Sequence, residues 1–218
     1  MPEEISVAEN ISNRIKRMRK GQPFAGALFL NAGPRTSVDK ALSRLVQEGI
    51  LERVIRGVYM RPKVSKILGP LAPSPIQVVE AVARARKERL QIHGAEAVRR
   101  LGISTQMQTQ PIYYTSGTTR LIRVGKAVVR LQHAPDEHLQ HAGTRVGVVL
   151  TALFYLGKKE ASTILIKRVL TSLSLEEFKT LQASRKPEWM QSALELAAKD
   201  VEWLPVTSSC LQKIKAAC

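Results

Sequence analysis

The sequence predicts an α+β protein in two domains, on three observations. Apolar residues recur at helical spacing over residues 5–20, 35–48, 76–90 and 145–185. Runs rich in Val, Ile, Tyr and Thr at 50–60 and 111–133 have strand character instead. Between them, RPKVSKILGPLAPSP at 61–75 holds four prolines and one glycine with little periodicity. Residues 63–75 therefore read as a linker between a domain at 1–62 and a larger one at 76–218.

The first helix is expected over 5–20, where Ile5, Ala8, Ile11, Ile15 and Met18 share a face opposite Arg14, Arg17 and Lys20. Gly21 and Pro23 stop it. FAGALFLN at 24–31 reads as a second short helix, ended by Gly33 and Pro34. A third runs over 35–48, with Thr36 or Ser37 as cap and Val38, Ala41, Leu42, Leu45 and Val46 as its buried stripe. Gly49 closes it, tolerating positive φ. Ile50 to Met60 then reads as two short strands around Arg56-Gly57.

The second domain opens with a helix from Ile76 to Leu90, carrying Val78, Val79, Val82 and Ala83. Arg84, Arg86, Lys87 and Arg89 gather at its C-terminal end, where cations suit the helix dipole. A short helix at 94–101 follows, and then PIYYTS, TRLIRVG and KAVVRLQH form a small antiparallel sheet turning at Gly117 and Gly125. Helices at 145–156, 160–172 and 175–185, and one after Pro187, complete a helical bundle. In the last, Trp189, Ala193, Leu196 and Ala197 share a face, and Pro187 suits the first turn.

Charge narrows the function. Lys and Arg number 34 against 18 Asp and Glu, a formal charge of +16 and a pI near 10.3. Such an excess favours a polyanionic partner. The excess is 7 over residues 1–66, 6 over 67–146 and 3 over 147–218, so the last third is the weakest candidate for nucleic-acid contact.

Cys210 and Cys218 are the only cysteines and support no disulfide framework, which fits a reducing cytoplasm. MPEEISVAEN is not a signal peptide, and the apolar run Val146–Leu156 is too short to span a bilayer. A cytoplasmic protein without membrane contact is expected.

Chemistry-bearing motifs are sparse. Phosphate-cradling GxxxxGK[ST] and GxGxxG patterns are missing, as is a GxSxG elbow. His133, His138 and His141 lie near Asp136 and Glu137, but Pro135 makes this a solvated loop more readily than a metal site. Neither enzyme activity, a cofactor nor a metal is expected.

The order helix, helix, turn, helix, two strands within 60 residues is that of a winged helix-turn-helix at about residues 5–62. Its last helix would lie in the major groove of double-stranded DNA, presenting Arg35, Ser37, Asp39, Lys40, Ser43 and Arg44. Arg53, Arg56 and Arg61, around the wing turn, would follow an adjacent phosphate track or minor groove. An alternative is RNA binding by the basic strand region 111–133, where Arg120, Arg123, Lys126 and Arg130 accompany Tyr113 and Tyr114. These cations could equally extend a DNA footprint.

The tract PRTSVDKALSRLVQEGILERVIRGVYMRPK resembles the N-terminal module of AbiEi-type antitoxins of type IV toxin–antitoxin systems, linked to abortive phage infection. SKILGPLAPSP and GAEAVRRLGISTQMQTQPIYYTSGTTRLIRVG resemble one subgroup, and the likeness covers about residues 5–135. The resemblance implies a transcriptional repressor of its own operon that binds inverted repeats. Carried over, DNA contact falls on Arg35, Thr36, Ser37, Lys40, Ser43, Arg44, Arg53 and Arg56. It also implies an antitoxin countering a nucleotidyltransferase-like toxin without a stable complex. Inverted repeats are compatible with a homodimer on DNA.

Overall fold

The computed structural model describes residues 6–199. Ile5, Trp203, Cys210 and Cys218 lie outside the described residues. The fold is α+β, with helices and small antiparallel sheets. Among the described residues the chain forms two compact units, 6–89 with 117–131, and 90–116 with 132–199. Among the described residues, no helix is long and apolar enough to cross a membrane.

In the first unit, α1 spans Val7–Arg17 and buries Ile11 and Ile15. Ser6 caps it by accepting from the Glu9 amide at 3.2 Å. The helix stops short of the expected Lys20 because Met18 is extended, with ψ 150°. The segment expected as a second helix instead divides into β1, Phe24–Ala25, and one 3-10 turn, Gly26–Phe29. Strand pairing decides this, since Phe24 lies opposite Tyr59 and Ala25 opposite Val58.

Helix α2 spans Arg35–Gln47 and buries Val38, Ala41, Leu42 and Leu45. Its N-cap position is Pro34, with no side-chain cap bond. Thr36 and Ser37 therefore sit inside the first turn, and the expected hydroxyl cap does not form. Strands β2, Glu52–Ile55, and β3, Val58–Met60, form a hairpin turning at Arg56-Gly57, with Gly57 at φ +78°. Strand β3 lies between β1 and β2. Ile11, Ile15, Phe24, Phe29, Leu42, Leu45 and Tyr59 close one core over this sheet.

The proline-rich stretch holds two paired strands, β4, Val64–Ser65, and β5, Gly69–Pro70. Helix α3, Pro75–Ala85, starts with a capping box between Ser74 and Gln77. It ends five residues before the expected Leu90. Val78 and Ala81 of α3 pack with Val58 and with Val124. Strands β8, Arg120–Val124, and β9, Ala127–His133, form an antiparallel hairpin with Ile122 opposite Val129. Helix α3 and most of this hairpin, read from sequence as belonging after residue 75, lie in this unit.

The second unit begins with β6, Leu90–Ile92, which the sequence reading missed. It pairs with β7, Ile112–Thr115, setting Gln91 opposite Tyr114. Helix α4 spans Gly94–Arg100. Helices α5, Arg145–Glu160, α6, Thr163–Leu170, α7, Leu175–Ala183, and α8, Glu188–Ala198, supply the helical part. Ser162 and Ser174 cap α6 and α7, and Pro187 occupies the N-cap position of α8. Val149, Leu150, Leu153, Ile166, Leu170, Phe178, Met190 and Leu194 form the core.

Candidate nucleic-acid interface

The α2 helix sorts its side chains sharply. Arg35, Thr36, Asp39, Lys40, Ser43 and Arg44 are exposed, Ser37 is half-buried, and the apolar stripe faces inward. The guanidinium side chains of Arg35 and Arg44 are 82% and 77% exposed. Each faces a carboxylate one turn on, Arg35 to Asp39 at 3.7 Å and Arg44 to Glu48 at 3.0 Å. Pro34 supplies no side-chain cap, so the amide groups of the first turn of α2 receive no bond from the N-cap side chain.

The hairpin that follows carries Arg53 on β2 and Arg56 at its turn, both exposed. From Arg53 to Val79 the chain has no acidic residue, and Arg53, Arg56, Arg61, Lys63 and Lys66 supply five cations. Lys63 and Lys66 lie outside the cations expected from the sequence. The absence of Asp and Glu over that interval was the signal that marks them.

Arg61 has a different geometry from its expected neighbours. Its Nη1 donates to the backbone carbonyls of Lys16 and Met18, both at 2.7 Å. Its own carbonyl accepts from the Gly21 amide at 2.8 Å. Arg61 thus closes the end of α1, satisfying carbonyls that the helix leaves without partners.

On β8, Arg120 is similarly occupied. It donates to Glu88 at 2.5 Å and to the Thr118 carbonyl at 3.0 Å, and its side chain is only 17% exposed. Arg123, Lys126 and Arg130 are exposed, with Arg123 and Arg130 on the same hairpin face as Leu121. Tyr113 and Tyr114 are half-buried on β7, in the other unit. The Tyr114 ring lies 4.9 Å from that of His93.

The histidines are dispersed among separate contacts. His138 stacks on Phe154 at 4.3 Å, His141 Nε2 lies 3.0 Å from the Ser184 hydroxyl, and His133 is exposed. Burial pushes the imidazoles of His93 and His138 below their ordinary value, and nearby Glu137 partly opposes this for His138.

A family model described as a family of unknown function, DUF6088, matches residues 10–181. The chain belongs to DUF6088. This DUF6088 chain has no significant match among curated proteins. Among solved structures it is similar to the crystal structure of RV2827C protein from Mycobacterium tuberculosis, with 14% identity and a TM-score of 0.37. That similarity covers 91% of the DUF6088 chain and 73% of the other.

Proposed function

We propose that this protein is a sequence-specific double-stranded DNA-binding repressor. It would act through a winged helix-turn-helix made of α1, α2 and the β2–β3 hairpin. The observation that carries this reading is α2 itself. A helix whose inner face is fully apolar presents Arg35, Thr36, Lys40, Ser43 and Arg44 outward and is followed directly by an arginine-bearing hairpin.

The chemistry suits a duplex. A helix fits the major groove, where Arg addresses guanine with two donors. Lys40, the hydroxyls and the uncapped amides of the α2 N-terminus suit phosphate oxygens. Arg53 and Arg56 on the hairpin would flank the groove, and Arg123, Lys126 and Arg130 would extend the cationic footprint. Arg61 and Arg120 act instead as structural cations, because their hydrogen bonds hold α1 and Glu88.

Repression of its own operon, an antitoxin role and a nucleotidyltransferase-like toxin as counterpart rest on the AbiEi-type resemblance of residues 5–135. These would be the biological setting of the DNA binding. The test is duplex binding by the full chain beside an Arg35→Ala/Lys40→Ala/Arg44→Ala variant. The variant should lose at least tenfold in affinity, about 1.4 kcal/mol, with a melting temperature lowered by no more than about a few degrees. Equal affinity would remove α2 from the interface.

A further inference from the structure

Away from the α2 surface, the first unit has a cleft of about 320 Å³ walled by Arg19, Lys20, Lys63, Gln77, Glu80 and Arg84. This is at the lower end of ligand-pocket volumes, about 300–1,000 Å³. The four cations come from three segments: the loop after α1, the residue before β4, and α3. All four are exposed, and none has an ion-pair partner among the described residues.

The walls are held in place. Arg61 grips the loop from both sides, donating to Lys16 and Met18 and accepting from Gly21. Gly21 has φ +79°, and a Cβ there would come within 2.9 Å of the Lys63 Cδ, so the lysine stem lies directly over the glycine. On α3, Gln77 uses its carbonyl oxygen in the capping box, accepting from the Ser74 amide at 3.1 Å. Its amide nitrogen is left to donate.

We infer that this cleft binds a phosphate chain, a di- or triphosphate group gripped by Arg19, Lys20, Lys63 and Arg84. Four cations against Glu80 leave a net charge near +3. That matches a polyphosphate better than a single phosphate, which two cations would neutralise. Arginine forks and lysine ammonium groups are the side chains that hold phosphate oxygens. Oxyanions presented in series by a nucleic-acid backbone have the same chemistry. The inference stands independently of the α2 reading.

The experiment is calorimetric titration of the full chain with inorganic triphosphate, and separately with a short DNA duplex, at low salt. Lys63→Ala and Arg84→Ala should each weaken binding about tenfold, the loss of one charge-assisted contact. Glu80→Gln should tighten it, because a repelling carboxylate has gone.

If triphosphate binds with these effects, the source is a free phosphate chain. If only the duplex responds to Lys63→Ala and Arg84→Ala, the phosphates come from nucleic acid. Binding of both ligands that ignores these two substitutions, or binding of neither, overturns the inference, as does a Glu80→Gln variant that binds no tighter. Loss of duplex binding in the α2 variants alone would concern the repressor reading and leave this site untouched.

Discussion

Arg44 Nε donates to the Glu48 carboxylate at 3.0 Å, one helical turn further along α2. The same i,i+4 relation places Asp39 by Arg35. On an exposed helix such a pair contributes only about 0.3–0.5 kcal/mol. Its larger effect is on partners, since each carboxylate repels the phosphates that its arginine would attract.

Glu48→Gln should therefore raise duplex affinity about twofold, the change expected from releasing an exposed i,i+4 ion pair. Arg44→Ala should lower affinity for the operator by about 1–3 kcal/mol if Arg44 reads a base. Fluorescence anisotropy on specific and scrambled duplexes separates the two roles. A loss of equal size on every sequence assigns Arg44 to phosphate.

Arg61→Ala should destabilise the first unit. Two charge-assisted hydrogen bonds to the end of α1 disappear, and the expected cost is about 1–3 kcal/mol. Urea unfolding measures it. The salt dependence of duplex binding should stay as in the parent chain, because Arg61 is already occupied within the fold.

Acid should weaken the fold in two stages. His93 and His138 have folded-state values lowered by burial, so the unfolded chain protonates first. Stability then falls as pH drops below the ordinary imidazole value of 6.5. Glu96 follows. Hydrogen bonds from Arg99, and then Arg100, hold its carboxyl at about 2 against an ordinary 4.5. Its contribution is complete above about 4.5 and is lost as pH falls towards 2. Urea midpoints across this range should show the second stage in the parent and lose it in Glu96→Gln.

Gly147→Ala should be among the most damaging single-methyl additions. The new Cβ would overlap the backbone carbonyl of His141 and the Gln91 amide, and a backbone atom cannot swing aside as a side-chain tip can. Overpacking of this kind costs about 1–3 kcal/mol. A thermal melt should show a clear loss for Gly147→Ala and a much smaller one for Ala142→Gly, nearby but only half-buried.

Periodicity located most elements because burial imposes it. The α2 stripe Val38, Ala41, Leu42, Leu45 is buried as read, and the turn of the hairpin falls at Arg56-Gly57. The errors have physical causes. FAGALFLN is apolar enough for a helix, but pairing of Phe24 and Ala25 with β3 draws its start into a strand. Leu90–Ile92 is too short for a period to show, and its strand character comes from the distant partner β7.

At the candidate interface, composition identified the cations but not their commitments. Arg61 and Arg44 are both arginines in a basic tract, yet one is bound to carbonyls 43 and 45 residues away in sequence and the other points to solvent. Such long-range bonds leave no local pattern.

In the proposed repressor, α2 and its hairpin read a particular duplex. The most direct measurement is affinity for the DNA upstream of the protein's own gene, beside a scrambled duplex of equal length, over a series of salt concentrations. Operator reading predicts tighter binding to the upstream DNA at every concentration, with a log–log slope of about −5 for six phosphate contacts. Equal affinity for the two duplexes would contradict it.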